Sequence, residues 1–344
     1  MHLVGESIVI SGQAVAYLKN SLESRSYTKV VVLVDENTKQ FCLPKLKGLY
    51  DGVIEIASGE TNKNIQTAEK IWTQMAEVGM DRKSVLLNLG GGVIGDMGGF
   101  CASTYMRGID FIQVPTTLLA MVDASCGGKL GIDLHGLKNY IGLFCEPNWV
   151  FIQPDFLETL PKRQFYSGWV EMVKHALIAD ESYLSDLLKL NPGRMKTLIQ
   201  QSVEIKNELV QLDFFEKKER KALNFGHTVG HAIESYYLND THSLLHGEAV
   251  AYGLVIESIL SQKIGLSEDL VPHVFSLIQQ HIALKPIKEE HRNDLYTLMT
   301  KDKKNREGKV QMTLLRAIAQ VEFDVEIDFE SFQSALHKFN KLFD

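Results

Sequence analysis

Three short apolar segments constrain the fold of the first half of the chain more than any other feature. Residues 29–35 (KVVVLVD) are apolar on both faces, which is typical of a parallel strand covered by helices. Residues 84–89 and 110–114 predict two further strands. Between the first two strands, Ile71, Met75 and Val78 recur at helical spacing, and Gly79 is a plausible helix end. This alternation predicts a Rossmann-like α/β domain with a doubly wound parallel sheet.

The second half of the chain has a different pattern, which is mostly helical from about residue 163 onward. We predict helices over residues 163–179, 195–212, 221–237 and 248–264. A chain of 344 residues exceeds what one hydrophobic core normally serves. We therefore expect an α/β domain over residues 1–160 and a mainly α-helical domain over residues 161–344, with a ligand site in the cleft between them.

Composition and charge exclude several classes of protein. The net charge of −7 argues against a nucleic-acid surface, which would normally carry a basic stripe. The longest apolar runs, such as residues 30–34, are far too short to span a membrane. The first residues lack the pattern of a signal peptide, and the four cysteines contain no C-x-x-C pair. These features predict a cytoplasmic enzyme that binds neither nucleic acid nor membrane.

A glycine-rich segment follows the strand predicted over residues 84–89. Residues 90–95 (GGGVIG) match G-x-G-x-x-G where a strand ends and a helix should begin. Backbone amides and a helix N-terminus at such a turn can approach a pyrophosphate, although glycine clusters also make ordinary tight turns. The acid expected about twenty residues further on is not obvious. Asp35, at the end of the strand predicted over residues 29–35, is a better candidate for a ribose contact.

Three histidines lie within twenty residues in the second half. His227 and His231 are four apart, on one face of a predicted helix, and His246 follows. A hydrolytic zincin would carry glutamate directly after the first histidine, whereas this chain has Thr228. One helical histidine is usually structural, but three beside glycines favour a metal site. Spacing alone nominates His227, His231 and His246 as its ligands.

Other charged residues have two possible interpretations each. Glu171 and Lys174 are three apart on a predicted helix, where a surface ion pair is very common. The neighbouring Trp169 indicates a partly buried helix instead, on which Glu171 could be a metal ligand and Lys174 a substrate contact. Arg107, Lys129 and Lys138 lie near glycine or asparagine, where they could bind phosphate. Taken one at a time, each is better explained as an ordinary solvated residue.

Together these segments resemble the 3-dehydroquinate synthase family. The resemblance runs in the family's order from about residue 35 to residue 304 and so covers most of the chain. It is carried by the strings GGGVIGDMGGF, STYMRG, QVPTTLLAMVDASCGGKLGID, LKNYIG, FLETLP, GWVEMVKHALI, LNFGHTVGHAIE, HGEAV and DKKN.

The resemblance implies an NAD-binding α/β domain, a helical metal- and substrate-binding domain and an active site between them. It implies NAD and Zn²⁺ as cofactors, with Co²⁺ as an alternative metal, and it replaces His231 by Glu171 in the metal site. The implied metal ligands are Glu171, His227 and His246. The implied NAD contacts are Asp35, Asn37, Glu60, Lys63, Gly92, Val93, Ile94, Gly95, Asp96, Thr116, Thr117, Asp123, Lys129, Lys138, Phe156, Leu157, Glu158 and Thr159.

The substrate contacts implied by the resemblance are mostly basic. One of them, Arg107, is the family's phosphate-binding arginine that reaches across a dimer interface, so a homodimer is expected. The pattern does not decide which of two adjacent C-terminal lysines contributes. The implied positions are Arg107, Lys129, Asn139, Lys174, Lys206, Arg220, Asn224, His231 and one of Lys303 and Lys304.

The reaction implied by the resemblance converts 3-deoxy-D-arabino-heptulosonate 7-phosphate into 3-dehydroquinate and phosphate, a lyase reaction of the shikimate pathway. It combines transient NAD-dependent oxidation, β-elimination of phosphate and intramolecular aldol closure. Three alternatives remain open. They are another sugar phosphate cyclase, a glycerol-dehydrogenase-like NAD-dependent alcohol dehydrogenase of the same fold, and a non-catalytic NAD-binding module.

Overall fold

The computed structural model describes residues 2–135, 137–189, 192–238, 243–300 and 309–344. The chain divides into two compact units. The first comprises Met1–Phe165 and Gly193–Asn207, and the second comprises Tyr166–Pro192 and Glu208–Asp344. The domain boundary predicted between residues 160 and 161 stays a prediction.

The first unit is built on a seven-stranded sheet in which all neighbours are parallel except β1 and β2. Its strand order is β1-β2-β9-β6-β5-β3-β4, and β7 and β8 form a separate antiparallel hairpin. The strands are β1 (His2–Val4), β2 (Ile8–Ile10), β3 (Val30–Asp35), β4 (Gly52–Ile56), β5 (Val85–Gly90), β6 (Asp110–Pro115), β7 (Lys129–Leu134), β8 (Leu137–Phe144) and β9 (Trp149–Ile152).

The order of the central strands creates a switch point between β3 and β5. After β3 the chain moves outward to the edge strand β4, then returns to the other side of β3 to form β5, β6 and β9. Loops on either side of such a reversal diverge and leave a crevice at the carboxyl ends of the strands. The helices of this unit are α1 (Ala14–Ser24), α2 (Glu36–Phe41), α3 (Ile65–Glu77) and α4 (Gly92–Thr104).

Burial explains why these segments adopt their predicted structures. The interior residues of β3 and every residue of β5 are buried, as a parallel strand covered on both faces requires. Ile71 and Met75 of α3 are fully buried, and Gly79 follows the helix with a φ of 73°. The predicted α/β fold is therefore confirmed for this part of the chain.

The second unit is mainly helical, as predicted, but it also contains an antiparallel hairpin that the sequence did not reveal. Helix α7 contributes residues to both units. No helix among the described residues is long and apolar enough to cross a membrane. The helices that follow the first unit's sheet are α5 (Lys162–Ala179), α6 (Glu181–Leu188), α7 (Met195–Leu212), α8 (His227–Tyr236), α9 (His246–Ser261), α10 (Leu270–Gln279), α11 (Arg292–Thr300) and α12 (Phe329–Asn340), and the hairpin is β10 (Val310–Ala317) with β11 (Gln320–Ile327).

The helix predicted over residues 221–237 is wrong at its start. Residues Glu219–Asn224 form a 3₁₀ turn, and Gly226 then adopts a left-handed φ of 81° before α8 begins at His227. An added Cβ at Gly226 would lie 2.6 Å from the Leu254 side chain. The break therefore needs glycine for both its backbone conformation and its packing, and it makes His227 the first residue of the helix.

Glycines allow the backbones of three helices to approach closely. A Cβ added at Gly253 of α9 would lie 1.8 Å from the carbonyl oxygen of Gly226, which precedes α8. A Cβ added at Gly247, near the start of α9, would lie 2.0 Å from the carbonyl oxygen of Ser167 in α5. The Gly247 N–H donates to Ser167 Oγ at 3.0 Å. Side chains at the starts of α8 and α9 are thereby fixed relative to α5.

Candidate functional site

Three ionisable side chains from three helices of the second unit converge at one point. Glu171 lies in the middle of α5 and is fully buried, while His227 and His246 are the first residues of α8 and α9. Glu171 Oε1 lies 3.5 Å from His227 Nε2 and 3.4 Å from His246 Nε2. The structure thus brings together the three ligands that the family pattern implies.

The other ring nitrogens of the two histidines have oxygen partners. His227 Nδ1 lies 3.2 Å from the Phe225 carbonyl oxygen, and His246 Nδ1 lies 3.3 Å from Glu234 Oε2. Because carbonyl and carboxylate oxygens only accept hydrogen bonds, Nδ1 of each ring carries a proton. In the neutral tautomers, both Nε2 lone pairs then face the Glu171 carboxylate. This second contact of each ring is typical of metal-binding histidines.

The spacing of the three atoms fits a metal better than a shared proton. Charge-assisted hydrogen bonds are normally about 2.7–2.9 Å long, so 3.4 Å and 3.5 Å are too long. Glu171 Oε1, which faces both rings, has no hydrogen-bond partner among the described residues, whereas Oε2 is ion-paired with Lys174. Ligands about 2.1 Å from a tetrahedral ion lie about 3.4 Å apart. The residues present therefore fit a divalent cation.

The pKa values of the three side chains show that the buried Glu171 carboxylate is charged and is stabilised by positive charge around it. Burial would raise the pKa of Glu171, but the Lys174 ammonium and the charged His246 ring outweigh it and hold this pKa well below its usual range. Burial and Lys174 keep the pKa of His227 well below its usual range, so that ring is neutral. Burial disfavours the charged form of His246, but Glu171 and Glu234 outweigh it and raise its pKa to about 10. A metal ion would replace the second proton of His246, the one on Nε2 that faces Glu171.

His231 and Lys174 lie beside these three residues. The His231 ring centroid is 5.2 Å from that of His227 and 5.8 Å from that of His246. The ligand atoms of the three histidines lie within 4.8 Å of one another, so the trio nominated by spacing is also close together. Lys174 is buried, and its Nζ contacts Glu171 Oε2.

Two further predicted substrate residues follow a tight turn in the second unit. Asp213 accepts backbone hydrogen bonds from residues 217, 218 and 220, which fixes the path of the chain. The Arg220 side chain is buried, and its Nη1 donates to the Phe214 carbonyl oxygen at 2.6 Å. Asn224 Nδ2 donates to Glu216 Oε1 at 2.7 Å. Both residues are held in place by contacts within the unit.

In the first unit, the glycine-rich turn and Asp35 lie at the carboxyl ends of the two strands that flank the switch point. Gly91 is the N-cap of α4, and within the described residues no side chain caps this helix. Its first backbone N–H groups are therefore available to an anion. Asp35 caps α2, because its Oδ1 accepts the Thr38 N–H at 2.7 Å. Gly92, Val93, Ile94 and Gly95 form the first turn of α4, and Asn37 is exposed on the first turn of α2.

Another group of predicted NAD residues, together with the predicted substrate residue Asn139, is gathered around Lys63. Its Nζ donates to Asp96 Oδ2 and to Asn139 Oδ1, each at 2.5 Å. Lys138 Nζ lies 3.7 Å from Glu60 Oε1. The β7–β8 hairpin, the start of α4 and the turn that begins at Glu60 thus meet at this lysine.

The remaining predicted residues of the first unit are spread over its loops. Lys206 Nζ donates to Asp123 Oδ1 at 2.6 Å, and Thr116 N–H donates to the Gly90 carbonyl oxygen at 3.0 Å. Lys129 and Arg107 are exposed, and Arg107 has a left-handed φ of 71°. Thr117 Oγ1 accepts the Ala120 N–H, and Phe156, Leu157, Glu158 and Thr159 form a 3₁₀ turn. Lys303 and Lys304 lie outside the described residues.

Sequence reasoning missed two carboxylates that orient predicted site residues, one beside the metal cluster and one in the first unit. Glu234 lies one helical turn beyond His231 on α8 and contacts His246. In the first unit, Asp133 Oδ1 accepts the Asn139 N–H at 2.7 Å, and Asn139 has a φ of 48°. A carboxylate three residues after a histidine could have signalled the first of these contacts. The second depends on the hairpin geometry.

Comparison with known proteins decides the family. The models for the 3-dehydroquinate synthase N-terminal and C-terminal domains match residues 53–167 and 168–305. A 3-dehydroquinate synthase from Parabacteroides distasonis is 39% identical over 98% of this chain and 99% of its own length. The chain belongs to the 3-dehydroquinate synthase family. A family member from Thermodesulfovibrio yellowstonii is 40% identical over 85% of this chain and 83% of its own length.

Solved structures extend the comparison to a synthase and a dehydrogenase of other names. A 2-epi-5-epi-valiolone synthase from Streptomyces hygroscopicus subsp. jinggangensis, with NAD⁺ and Zn²⁺ bound, has a TM-score of 0.86 and 26% identity over 99% of this chain and 98% of its own. A probable glycerol dehydrogenase from Sinorhizobium meliloti has a TM-score of 0.67 and 15% identity, covering 99% of each chain. This last likeness shows the fold alone, which the family shares with dehydrogenases.

Proposed function

We propose that this protein converts 3-deoxy-D-arabino-heptulosonate 7-phosphate into 3-dehydroquinate and phosphate, as a carbon–oxygen lyase. The observation that carries the proposal is the approach of two imidazole Nε2 atoms, at 3.4 Å and 3.5 Å, to one buried carboxylate oxygen. In a chain 39% identical to a 3-dehydroquinate synthase over nearly its whole length, this arrangement supports a metal-dependent reaction of the same kind.

NAD and a divalent metal are the cofactors of this proposal. The valiolone synthase is solved with NAD⁺ and Zn²⁺, and a similar 2-deoxy-scyllo-inosose synthase is solved with NAD⁺ and Co²⁺. We assign the metal to Glu171, His227 and His246, and NAD to the switch-point loops and the residues around Lys63. When bound, NAD supplies a reversible hydride acceptor, and the metal supplies a Lewis acid for alcohol or carbonyl oxygens.

The residues near the metal ligands have separate tasks in this proposal. Two imidazoles and one carboxylate leave coordination positions open, as a catalytic metal site requires. His231 and Lys174 border the three ligands and can hydrogen-bond the sugar oxygens that face the metal. Arg220 and Asn224 bind the same substrate from the turn before α8, where their contacts with Phe214 and Glu216 restrict their conformations.

The positively charged residues are assigned to the phosphate group. Arg107, Lys129, Lys206 and one of Lys303 and Lys304 carry the family's phosphate- and substrate-binding positions. Cations held in place around a leaving phosphate stabilise the charge that develops as its bond breaks. A neutral polyol would not require this charge, so the set favours a sugar phosphate over the substrate of a glycerol dehydrogenase.

We further propose that the protein is a cytoplasmic homodimer. The family pattern places Arg107 across a dimer interface, and Arg107 is exposed in this chain. Strand β8 also carries large exposed apolar side chains, among them Leu137 at 53% and Phe144 at 43% exposure. Apolar surface of this kind is typical of interaction sites.

The proposal is tested by measuring phosphate release from 3-deoxy-D-arabino-heptulosonate 7-phosphate with NAD⁺ and Zn²⁺, while absorbance reports NADH. We expect phosphate release without accumulation of NADH, and loss of the reaction when a chelator is added. NADH accumulation without phosphate would instead indicate a net dehydrogenase. If neither occurs, sedoheptulose 7-phosphate is the next substrate, because turnover of it would identify another sugar phosphate cyclase.

A further inference from the structure

Glu257 is a fully buried carboxylate on α9 that has no place in the functions assigned above. Its two oxygens accept backbone hydrogen bonds from the turn that begins α8. Oε2 accepts the Gly226 N–H at 2.7 Å, and Oε1 accepts the Val229 N–H at 2.9 Å. A carboxylate is costly to bury unless its charge is offset, and here the N-terminus of a ten-residue helix offsets it.

The two N–H groups that Glu257 accepts flank His227 in sequence. The Gly226 N–H belongs to the same peptide unit as the Phe225 carbonyl, and that carbonyl oxygen lies 3.2 Å from His227 Nδ1. Glu257 therefore holds one side of this peptide while the other side orients the His227 ring. Hydrogen bonds in a chain polarise one another, so the carboxylate also makes the Phe225 carbonyl a better acceptor.

We propose that Glu257 is a positioning residue that acts through the Phe225–Gly226 peptide on His227 and so raises the affinity of the site for its metal. This inference rests on the proposed metal site. His246 is oriented by direct contact between Nδ1 and the Glu234 carboxylate. His227 is oriented by the Glu257 carboxylate in an indirect way, because the Phe225–Gly226 peptide lies between the two side chains.

The backbone of this turn explains why a carboxylate from another helix is used. Gly226 adopts a left-handed φ of 81°, and its N–H donates to Glu257 on α9. Gly253, one helical turn before Glu257, lets the two backbones approach, because a Cβ there would lie 1.8 Å from the Gly226 carbonyl oxygen. Helix α9 thus supplies His246 at its start and fixes the position of His227 three turns later.

The test compares Co²⁺ binding to the metal-free full-length protein in the wild type, Glu257→Gln and Ser261→Ala. Glutamine keeps the size of the side chain but presents an NH₂ group to one of the two N–H donors. Ser261 is a matched control, because it is buried on the same helix and bonds backbone groups, donating to the Glu257 carbonyl oxygen at 2.7 Å and accepting the Leu315 N–H at 3.0 Å.

We expect Glu257→Gln to weaken Co²⁺ binding by about 10- to 100-fold and to change the visible spectrum of the bound ion. Ser261→Ala should lower the Tm but leave the Co²⁺ affinity and the visible spectrum of the bound ion unchanged. Wild-type Co²⁺ affinity and spectrum in Glu257→Gln, with only a lower Tm, would show that Glu257 serves the fold alone. A wild type that takes up no Co²⁺ would overturn the metal site and this inference together.

A second measurement uses only the wild type, in case Glu257→Gln does not fold. Coupling between the metal and the turn is reciprocal, so Zn²⁺ should slow amide exchange at Gly226 and Val229. Exchange at Leu315 is the internal reference, because its N–H donates to Ser261 on the same helix. Equal effects of Zn²⁺ at all three amides would overturn the proposal.

Discussion

The two units build their candidate sites from different parts of the chain. In the first unit, the nucleotide-binding candidates are backbone groups and capping side chains at strand ends, such as Gly91 and Asp35. In the second, the metal candidates are side chains of Glu171, His227 and His246, which come from three helices. The first site depends on a topology that many sequences can form. The second depends on how closely particular helices pack.

This difference determines how each site should respond to mutation. A strand-end site relies on helix N-termini and loop backbones, so a single side chain contributes only part of its affinity. The metal site uses a few ligands, each of which supplies a large share of the binding free energy. We therefore expect the largest effects in the second unit.

The largest expected effect comes from removing His246, which is a metal ligand both in the set nominated by spacing and in the set implied by the family. His246→Ala should lower metal affinity and phosphate release each on the order of a thousandfold, because it removes a ligand. Metal content after dialysis and the rate of phosphate release measure the two effects. His231→Asn should retain the metal but lower the rate, since we assign His231 to the substrate.

The opposite pattern of metal content would support a site formed by the three histidines. Loss of metal from His231→Asn, together with full metal content in Glu171→Gln, would show that His231 is a ligand and Glu171 is not. The ligand atoms of the three histidines are close enough for that arrangement, so metal content is the measurement that separates the two ligand sets.

A smaller effect is expected from matched glycine substitutions in the two units. Gly253 of α9 and Gly98 of α4 both lie inside helices, so alanine gains similar helix propensity at each. At Gly253 the new Cβ would lie 1.8 Å from a backbone oxygen, whereas at Gly98 it would lie 1.9 Å from the Asn88 side chain. The buried Asn88 side chain must shift to make room, at a cost, but the backbone contact at Gly253 cannot relax without moving a ligand helix.

We therefore expect Gly253→Ala to lower the free energy of unfolding by about 3 kcal/mol and Gly98→Ala by about 1 kcal/mol. Urea denaturation of the metal-free proteins provides the comparison. Gly253→Ala should also weaken Co²⁺ binding, while Gly98→Ala should not. Equal losses of stability would contradict the idea that close backbone packing distinguishes the second unit.

The fold of the first unit was largely predictable because its signals are local. The strand of residues 29–35 and the glycine-rich turn can be recognised from a few adjacent residues, and the structure places both where the pattern indicates. The hairpin β10–β11 and the break at Gly226 were not predicted. Both depend on contacts with distant residues, such as the Leu254 side chain that any Cβ at Gly226 would meet.

The candidate metal site shows the same limit more sharply. Helical spacing pairs His227 with His231, but it carries no information about Glu171, which lies 56 residues earlier in the chain. The partly buried helix around Trp169 made that carboxylate a possible ligand, but only the family resemblance placed it in one site with the histidines. Glu234 and Glu257 were missed by both routes; Glu234 follows His231 by three residues, but the spacing of Glu257 from the turn it binds follows no helical repeat.

The smallest expected effects separate two roles of Asp35, which caps α2 and which we assign to the NAD ribose. Asp35→Ala should lower the free energy of unfolding by about 1 kcal/mol, because the Thr38 N–H loses its acceptor. Asp35→Asn should leave stability almost unchanged, since asparagine is an equally good N-cap. Both variants should bind NAD⁺ about tenfold more weakly, because a charged hydrogen bond to a ribose hydroxyl is lost.

Calorimetric titration with NAD⁺ and urea denaturation together distinguish these roles, and metal content serves as the control that should not change. If Asp35→Asn binds NAD⁺ as the wild type does, then Asp35 is only a helix cap, and the ribose contact lies elsewhere on the switch-point loops. Weaker NAD⁺ binding at unchanged stability would instead show that a strand-end side chain can contribute to ligand affinity independently of the fold, as the metal ligands of the second unit are expected to do.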